Sequence, residues 1–229
     1  CDPVAVAAAL GADPLLAPLV ARWPGLRVPG HVDGAELAVR AVVGQQVSVA
    51  GARTVLARLV QRYGEPLPAG TAGSGPLVGS GRAPARPGSS AGGIGDEPLT
   101  HLFPSPDVLA TLDPADLPMP RARGRALVGL ATALADGSLA LDRGPDRART
   151  RAALLALPGI GDWTASYIAI RALGDPDAFM PTDLGTRHAL TGLGADPAQA
   201  ARLAEAWRPW RSYAQSLLWA TLLDPKETP

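Results

Sequence analysis

The chain is predicted to be all-helical. Apolar residues make up 47% of its 229 positions and are mostly Ala and Leu. They recur at the three- and four-residue intervals of a helix face, and Asp or Ser precedes several of these runs, where the first free amides of a helix need an acceptor. Runs with the alternation of a strand are nearly absent.

Taken in order, residues 2–22 carry Ala and Leu at helical intervals, broken near Gly11-Ala-Asp-Pro14, and fit two short helices. The segment Trp23-Pro-Gly-Leu-Arg-Val-Pro-Gly30 reads as a turn-rich link. Residues 33–63 are strongly helical in two sets. Leu37, Val42 and Val43 form one, Val49, Val55, Leu56, Leu59 and Val60 the other, with Gly44-Gln-Gln-Val-Ser48 dividing them. Asp33 and Ser48 are the expected caps. Residues 65–99 hold many Gly, Pro, Ala and Ser residues and little that could repay ordering by burial, so they are expected to form a flexible surface insertion.

Helical character then resumes. Ser105 and Pro106 have the chemistry of a cap and a first helical position. Residues 119–136, bearing Arg121, Arg123 and Arg125, form another helix, and residues 146–157 a further one. The last long helix is expected to contain Leu203, Trp207, Tyr213, Leu217 and Trp219, kinked at Pro209, which brings the expected count to nine or ten.

Charge and composition narrow the function. Twenty-one basic residues balance 21 acidic ones, which weighs against a general nucleic-acid coating protein while leaving room for a local contact face. A single Cys excludes an internal disulfide and a cysteine-ligated metal, and His31, His101 and His188 lack metal-ligand spacing. No apolar run approaches the roughly 18 residues of a membrane span.

The most informative segment is Leu157-Pro-Gly-Ile-Gly-Asp-Trp-Thr-Ala-Ser-Tyr167. Pro158 stops the preceding helix. Gly159 and Gly161 allow a tight turn and leave amides exposed at the start of the next helix, where free N–H groups and the helix dipole favour a phosphate. Outward-facing carbonyls of the same loop could hold a monovalent cation. An ordinary glycine turn between packed helices explains the same residues without a ligand.

Sixteen residues further on lies Asp183, in Phe179-Met-Pro-Thr-Asp-Leu-Gly185. It is either a helix cap or, with Thr182 taking the cap, a carboxylate free to stabilise positive charge on a sugar carbon and to guide a water. Asp175 and Asp177 are expected only to shape their Gly-Asp-Pro-Asp loop. Trp163 and Tyr167, four apart, share a helix face that Trp219 could meet. Such a cluster serves as core packing or as a stacking pocket for a flipped, electron-poor base. Trp207 and Trp210 read as structural, with Arg208 and Arg211 at the surface.

In combination, these segments resemble the helix-hairpin-helix DNA glycosylase superfamily, and within it the bacterial DNA-3-methyladenine glycosylase II family. The resemblance covers most of the chain outside residues 65–99. It rests on Leu37-Ala-Val-Arg-Ala-Val-Val-Gly-Gln-Gln-Val-Ser-Val49, the 157–167 hairpin, the Asp183 motif and Trp207-Arg-Pro-Trp-Arg-Ser-Tyr213. It implies two helical subdomains with the active-site cleft between them, spanning residues 1–229. The family's usual N-terminal mixed α/β domain is expected to be absent, the chain starting near its end.

The resemblance further implies a monofunctional glycosylase that hydrolyses the N-glycosidic bond of alkylated purines such as 3-methyladenine in duplex DNA, as a cytoplasmic monomer associated with the nucleoid when on DNA. Asp183 matches the catalytic aspartate, and Trp163 stands where bifunctional relatives have a Schiff-base lysine. Tyr167 and Trp219 match base-pocket aromatics together with Trp163. Gln45 and Gln46 match the loop that enters the gap left by the flipped nucleotide, although the family's wedge is commonly apolar. Gly159, Ile160 and Gly161 match the DNA-gripping hairpin. The carbonyls of Leu155, Leu157 and Ile160 match a loop that holds sodium or potassium, and no other cofactor is expected. The rival reading is a non-catalytic helix-hairpin-helix DNA-binding module.

Overall fold

The computed structural model describes residues 2–68, 100–142, 144 and 146–223, and among these it is helical. The elements are α1 (Pro3–Gly11), α2 (Ala17–Arg22), α3 (Gly34–Val43), α4 (Val49–Tyr63), α5 (Pro106–Ala110), α6 (Arg121–Ala135), α7 (Arg147–Ala156), α8 (Asp162–Arg171), α9 (Leu184–Gly192), α10 (Ala200–Leu203) and α11 (Arg211–Ala220). Turns of 3₁₀-helix at Pro197–Gln199 and Ala204–Trp207 flank α10. None of the described helices is long and apolar enough to cross a membrane.

The predicted caps form: Asp33 accepts from the amides of Ala35 and Glu36, Ser48 from Gly51 and Ser105 from Val108. Asp146, not among the expected caps, accepts from Arg149 in the same way. Each such cap is worth about 1 kcal/mol. Most of the expected insertion lies outside the described residues. Its first residues run beside residues 100–102, which follow it: the Leu67 amide donates to Thr100 and the Leu102 amide to Glu65.

Two hydrophobic cores organise the molecule. One gathers Leu37, Val42, Leu59, Leu127, Leu130, Leu154 and Ile168, so α3 to α8 pack as a unit with α3 set against both α6 and α8. The other gathers Leu10, Leu16, Leu19, Leu190, Trp207 and Leu218, joining α1 and α2 to α9, α10 and α11. The chain therefore leaves the second core after α2, builds the first, and returns. Val49, expected in the apolar set, is 70% exposed, because the start of α4 borders a cleft instead of the core.

The C-terminal region departs from the single kinked helix expected. It is broken into α10, a 3₁₀ turn and α11, which raises the number of described α-helices to eleven. Arg208 is extended (ψ 142°), as a residue before proline prefers, and Pro209 has no amide with which to continue a helix. Trp207 is buried, its indole N–H donating to Asp13 at 2.9 Å and its ring meeting Phe179 edge-on. Asp177 does more than shape its loop. It pairs with Arg208 at 2.7 Å and with Arg211 at 2.8 Å, and Arg211 is largely buried rather than superficial. The loop before Asp183 is thereby fastened to α11.

Candidate active site

The hairpin between α7 and α8 needs glycine at only one of its two positions. Gly159 has φ +86°, and a Cβ there would meet the Ala126 methyl at 2.6 Å. Gly161 has an extended backbone (φ −96°, ψ 178°) and open space around its Cα, so strain does not require it. What the missing side chain leaves is access to its amide. The amides of Gly159 and Gly161 donate to no protein group among the described residues, whereas that of Ile160 is taken by the Leu157 carbonyl at 3.1 Å. Ile160 is a core side chain, 5% exposed, that pins the turn.

Asp183 is the N-cap of α9, so the alternative in which Thr182 caps the helix and leaves Asp183 free is not the one adopted. Oδ2 accepts from the Thr186 amide at 2.9 Å, the Thr186 hydroxyl at 3.1 Å and the Trp219 indole N–H at 2.9 Å. Oδ1 accepts from the Trp163 indole N–H at 2.9 Å. One carboxylate thus receives donors from α8, α9 and α11, which come from both cores. The buried Gln215 lies behind it, donating to the Thr186 hydroxyl and accepting from the Met180 amide at 3.1 Å. Gly185 leaves room for this arrangement, since a Cβ would stand 3.0 Å from Asp183 Oδ2 and 3.2 Å from Trp219.

The three predicted aromatics come together. Trp163 and Tyr167 are parallel within 5° with ring centres 5.5 Å apart, and Trp219 lies tilted at 6.4 Å from Tyr167. Arg171 continues the row, its guanidinium 5.7 Å from the Tyr167 ring centre. Trp163, Tyr167 and Arg171 are successive i, i+4, i+8 positions of α8, so Tyr167 has a neighbour one turn to either side. A cleft of about 400 Å³ opens beside this row, walled by Trp163 and Tyr167 on α8 and by Leu37, Ala41 and Leu56 opposite. Arg40, Arg53 and Arg171 make its lining basic. Trp163 also walls a second cleft of about 310 Å³ with Met180, Pro181 and Thr182. Trp219 lines neither; its contribution is the indole bond to Asp183.

The α3–α4 loop separates its two glutamines. Gln46 is exposed with φ +54°, an unusual conformation for a non-glycine residue. Gln45 is half-buried, and its amide donates to the Gly159 carbonyl at 3.1 Å and the Thr164 hydroxyl at 2.9 Å. It faces the hairpin and is not free to enter a duplex in this arrangement. Val47, 40% exposed, lines the cleft.

Sequence reasoning missed Gln215, Thr186 and Arg171. Arg171 was findable, since it follows Tyr167 by one helical turn. Gln215 was not, because its partners lie 29 and 35 residues away.

The fold is that of the helix-hairpin-helix DNA glycosylases. Over 98% of its length the chain superimposes on 71% of the 3-methyladenine DNA-glycosylase from Archaeoglobus fulgidus, with a TM-score of 0.70 at 19% identity. Residues 1–33 match the model of the AlkA N-terminal domain. The chain is 38% identical to DNA-3-methyladenine glycosylase 2 of Escherichia coli (strain K12), covering 96% of this chain and 67% of that protein. It is 48% identical to the probable bifunctional transcriptional activator/DNA repair enzyme AlkA of Mycobacterium tuberculosis (strain ATCC 25618 / H37Rv), covering 98% of this chain and 40% of that one. The chain belongs to the DNA-3-methyladenine glycosylase II family, and it spans between two-fifths and two-thirds of the length of these two relatives.

Proposed function

We propose that the chain removes alkylated purines such as 3-methyladenine from duplex DNA by hydrolysing the N-glycosidic bond, without strand cleavage. The observation that carries this reading is the carboxylate of Asp183, held by two indole N–H groups and the Thr186 turn beside an aromatic cleft and a hairpin with free amides. The hairpin amides donate to a backbone phosphate, which positions the duplex without reading its sequence. The damaged nucleotide leaves the stack and enters the cleft.

An N-alkylated purine already carries positive charge. When the bond to C1′ breaks, the electron pair goes to the base, which departs neutral, and positive charge develops on the sugar. Asp183 is an anion fixed before the reaction, so it stabilises that charge with no reorganisation. Oδ2 is saturated by three donors while Oδ1 accepts one, which makes Oδ1 the oxygen with capacity to face C1′ or an incoming water. Water adds to C1′ and loses a proton, leaving an abasic site. The only lysine of the chain is Lys226, and the first turn of α8 carries Trp163, which accords with base removal lacking a Schiff-base step.

The hairpin's donor set suits a sodium or potassium ion. The Leu155 and Ile160 carbonyls accept no hydrogen bond among the described residues, and that of Leu157 accepts only the Ile160 amide. An ion held there would add positive field beside the phosphate.

The deciding experiment measures release of 3-methyladenine and 7-methylguanine from methylated duplex DNA, with abasic sites and strand breaks assayed separately. Release by this chain and its loss in a folded Asp183→Asn variant is the expected result. Duplex binding without release from either protein would mean a DNA-binding module instead.

A further inference from the structure

We propose that Gln45 is a positioning residue that latches the α3–α4 loop to the hairpin, setting the distance between the group that enters the DNA stack and the group that holds the phosphate. The inference rests on the glycosylase reading above. Both hydrogens of the Gln45 amide are used, one on the Gly159 carbonyl and one on the Thr164 hydroxyl. These acceptors are the apex of the hairpin and the first turn of α8, and Thr164 is 2% exposed. Gly159 is itself held by its positive φ and by the Ala126 methyl of α6, which packs where a Cβ would stand. The latch therefore joins the loop to a closely packed part of the fold.

The remainder of the loop is placed accordingly. Ser48 anchors its far end by capping α4, and between the two anchors only Gln46 and Val47 are exposed. Gln46 sits in the left-handed region, a conformation that persists only where its neighbours over-determine it. Two DNA contacts more than a hundred residues apart in sequence thus form one rigid unit, whose geometry is set before DNA arrives. A preorganised insertion loop favours damaged or abasic duplex, where there is a gap to fill, and contributes little to binding an intact duplex.

The test compares affinity for a duplex carrying a tetrahydrofuran abasic-site analogue with affinity for the undamaged duplex of the same sequence. Gln45→Leu keeps the volume and removes both donors, and Thr164→Val removes one acceptor. Gln45→Leu is expected to lower the ratio of abasic to undamaged affinity about tenfold, as loss of two partly buried hydrogen bonds would. Thr164→Val should lower it less, and the double variant should be no worse than Gln45→Leu alone. A ratio that stays constant while both affinities fall would reduce Gln45 to a structural role, and additive losses would deny the shared bond; either overturns the proposal. If the unsubstituted chain releases no base, the glycosylase reading fails, yet this affinity ratio still decides the latch.

Discussion

Asp183 and Gln46 belong to the same candidate site and are held in opposite ways. The carboxylate receives four hydrogen bonds from three helices, backed by a buried glutamine. Gln46 has an exposed side chain and depends for its placement on the two bonds of the preceding residue. The difference matches the two tasks proposed for them. Stabilising charge at one carbon demands placement within a fraction of an ångström, because the electrostatic gain is realised only if the anion need not move. Filling a gap in a base stack demands reach and tolerance of several geometries.

The largest way to break this comparison is Asp183→Asn. An amide in that position keeps the shape but loses the charge, and its NH₂ must face an indole N–H or the Thr186 amide. Base release should fall by about two orders of magnitude or more, the scale of removing a preorganised electrostatic group. Affinity for undamaged duplex should change little, since phosphate contacts set it. Single-turnover release kinetics and fluorescence anisotropy on the same preparations check the two parts.

A smaller effect is expected one layer out, at Thr186→Val. The methyl fits the space of the hydroxyl, but Asp183 loses one donor and the buried Gln215 amide loses its acceptor. An orphaned buried donor costs about 1–3 kcal/mol, which thermal unfolding would register. Turnover should drop about tenfold through the looser carboxylate. The expected drop in stability with unchanged turnover would mean that the Gln215–Thr186 bond serves packing alone.

The same contrast explains what was legible in the sequence. Caps and helical faces are local, so α1 to α9 follow from spacing and from residues such as Asp33, Ser48 and Ser105. The aromatic row of α8 was legible because Trp163 and Tyr167 are one turn apart. Asp183 could be located but its state could not, since cap and reactive group looked like alternatives. The structure makes the two compatible, because a cap oxygen is also a fixed oxygen, and its indole donors come from 20 residues before and 36 after. The orientation of Gln45 was likewise set by contacts 114 and 119 residues distant, for which the sequence has no local signal. The break at Pro209 was visible as a kink, but its full extent depended on Trp207 reaching Asp13 across the second core.

The hairpin glycines sharpen the comparison on the binding side. Gly159→Ala forces a Cβ into a positive φ and against Ala126, so it should cost stability on the order of 1–3 kcal/mol as well as DNA affinity. Gly161→Ala meets no atom and needs no unusual backbone, so its melting temperature should stay near that of the parent chain. Its methyl would stand between the exposed amides and an incoming phosphate, and duplex affinity should fall several-fold, roughly 1 kcal/mol for one obstructed hydrogen bond. Equal melting temperatures for both variants would contradict the assigned geometry of the turn. Unchanged affinity for Gly161→Ala would place the phosphate elsewhere.

The smallest expected change is a gain, and it concerns the one acid on the hairpin. Asp162 occupies the first turn of α8, with its side chain 82% exposed and 2.6 Å from Arg151. A carboxylate there suits the helix dipole, but it lies next to the amides proposed to take a phosphate, so it opposes that anion and occupies a nearby arginine. An ion pair this exposed contributes little to stability. Asp162→Asn should therefore leave folding almost unaffected, free Arg151 and remove a like-charge repulsion. Duplex affinity should rise about threefold at low salt, and the salt dependence should steepen by up to one counterion as Arg151 engages the backbone. The gain should shrink as salt is raised, because screening weakens the repulsion in the parent chain as well. A fall in affinity would show instead that Arg151 needs Asp162 to be aimed at the DNA, which would turn the surface pair into part of the grip.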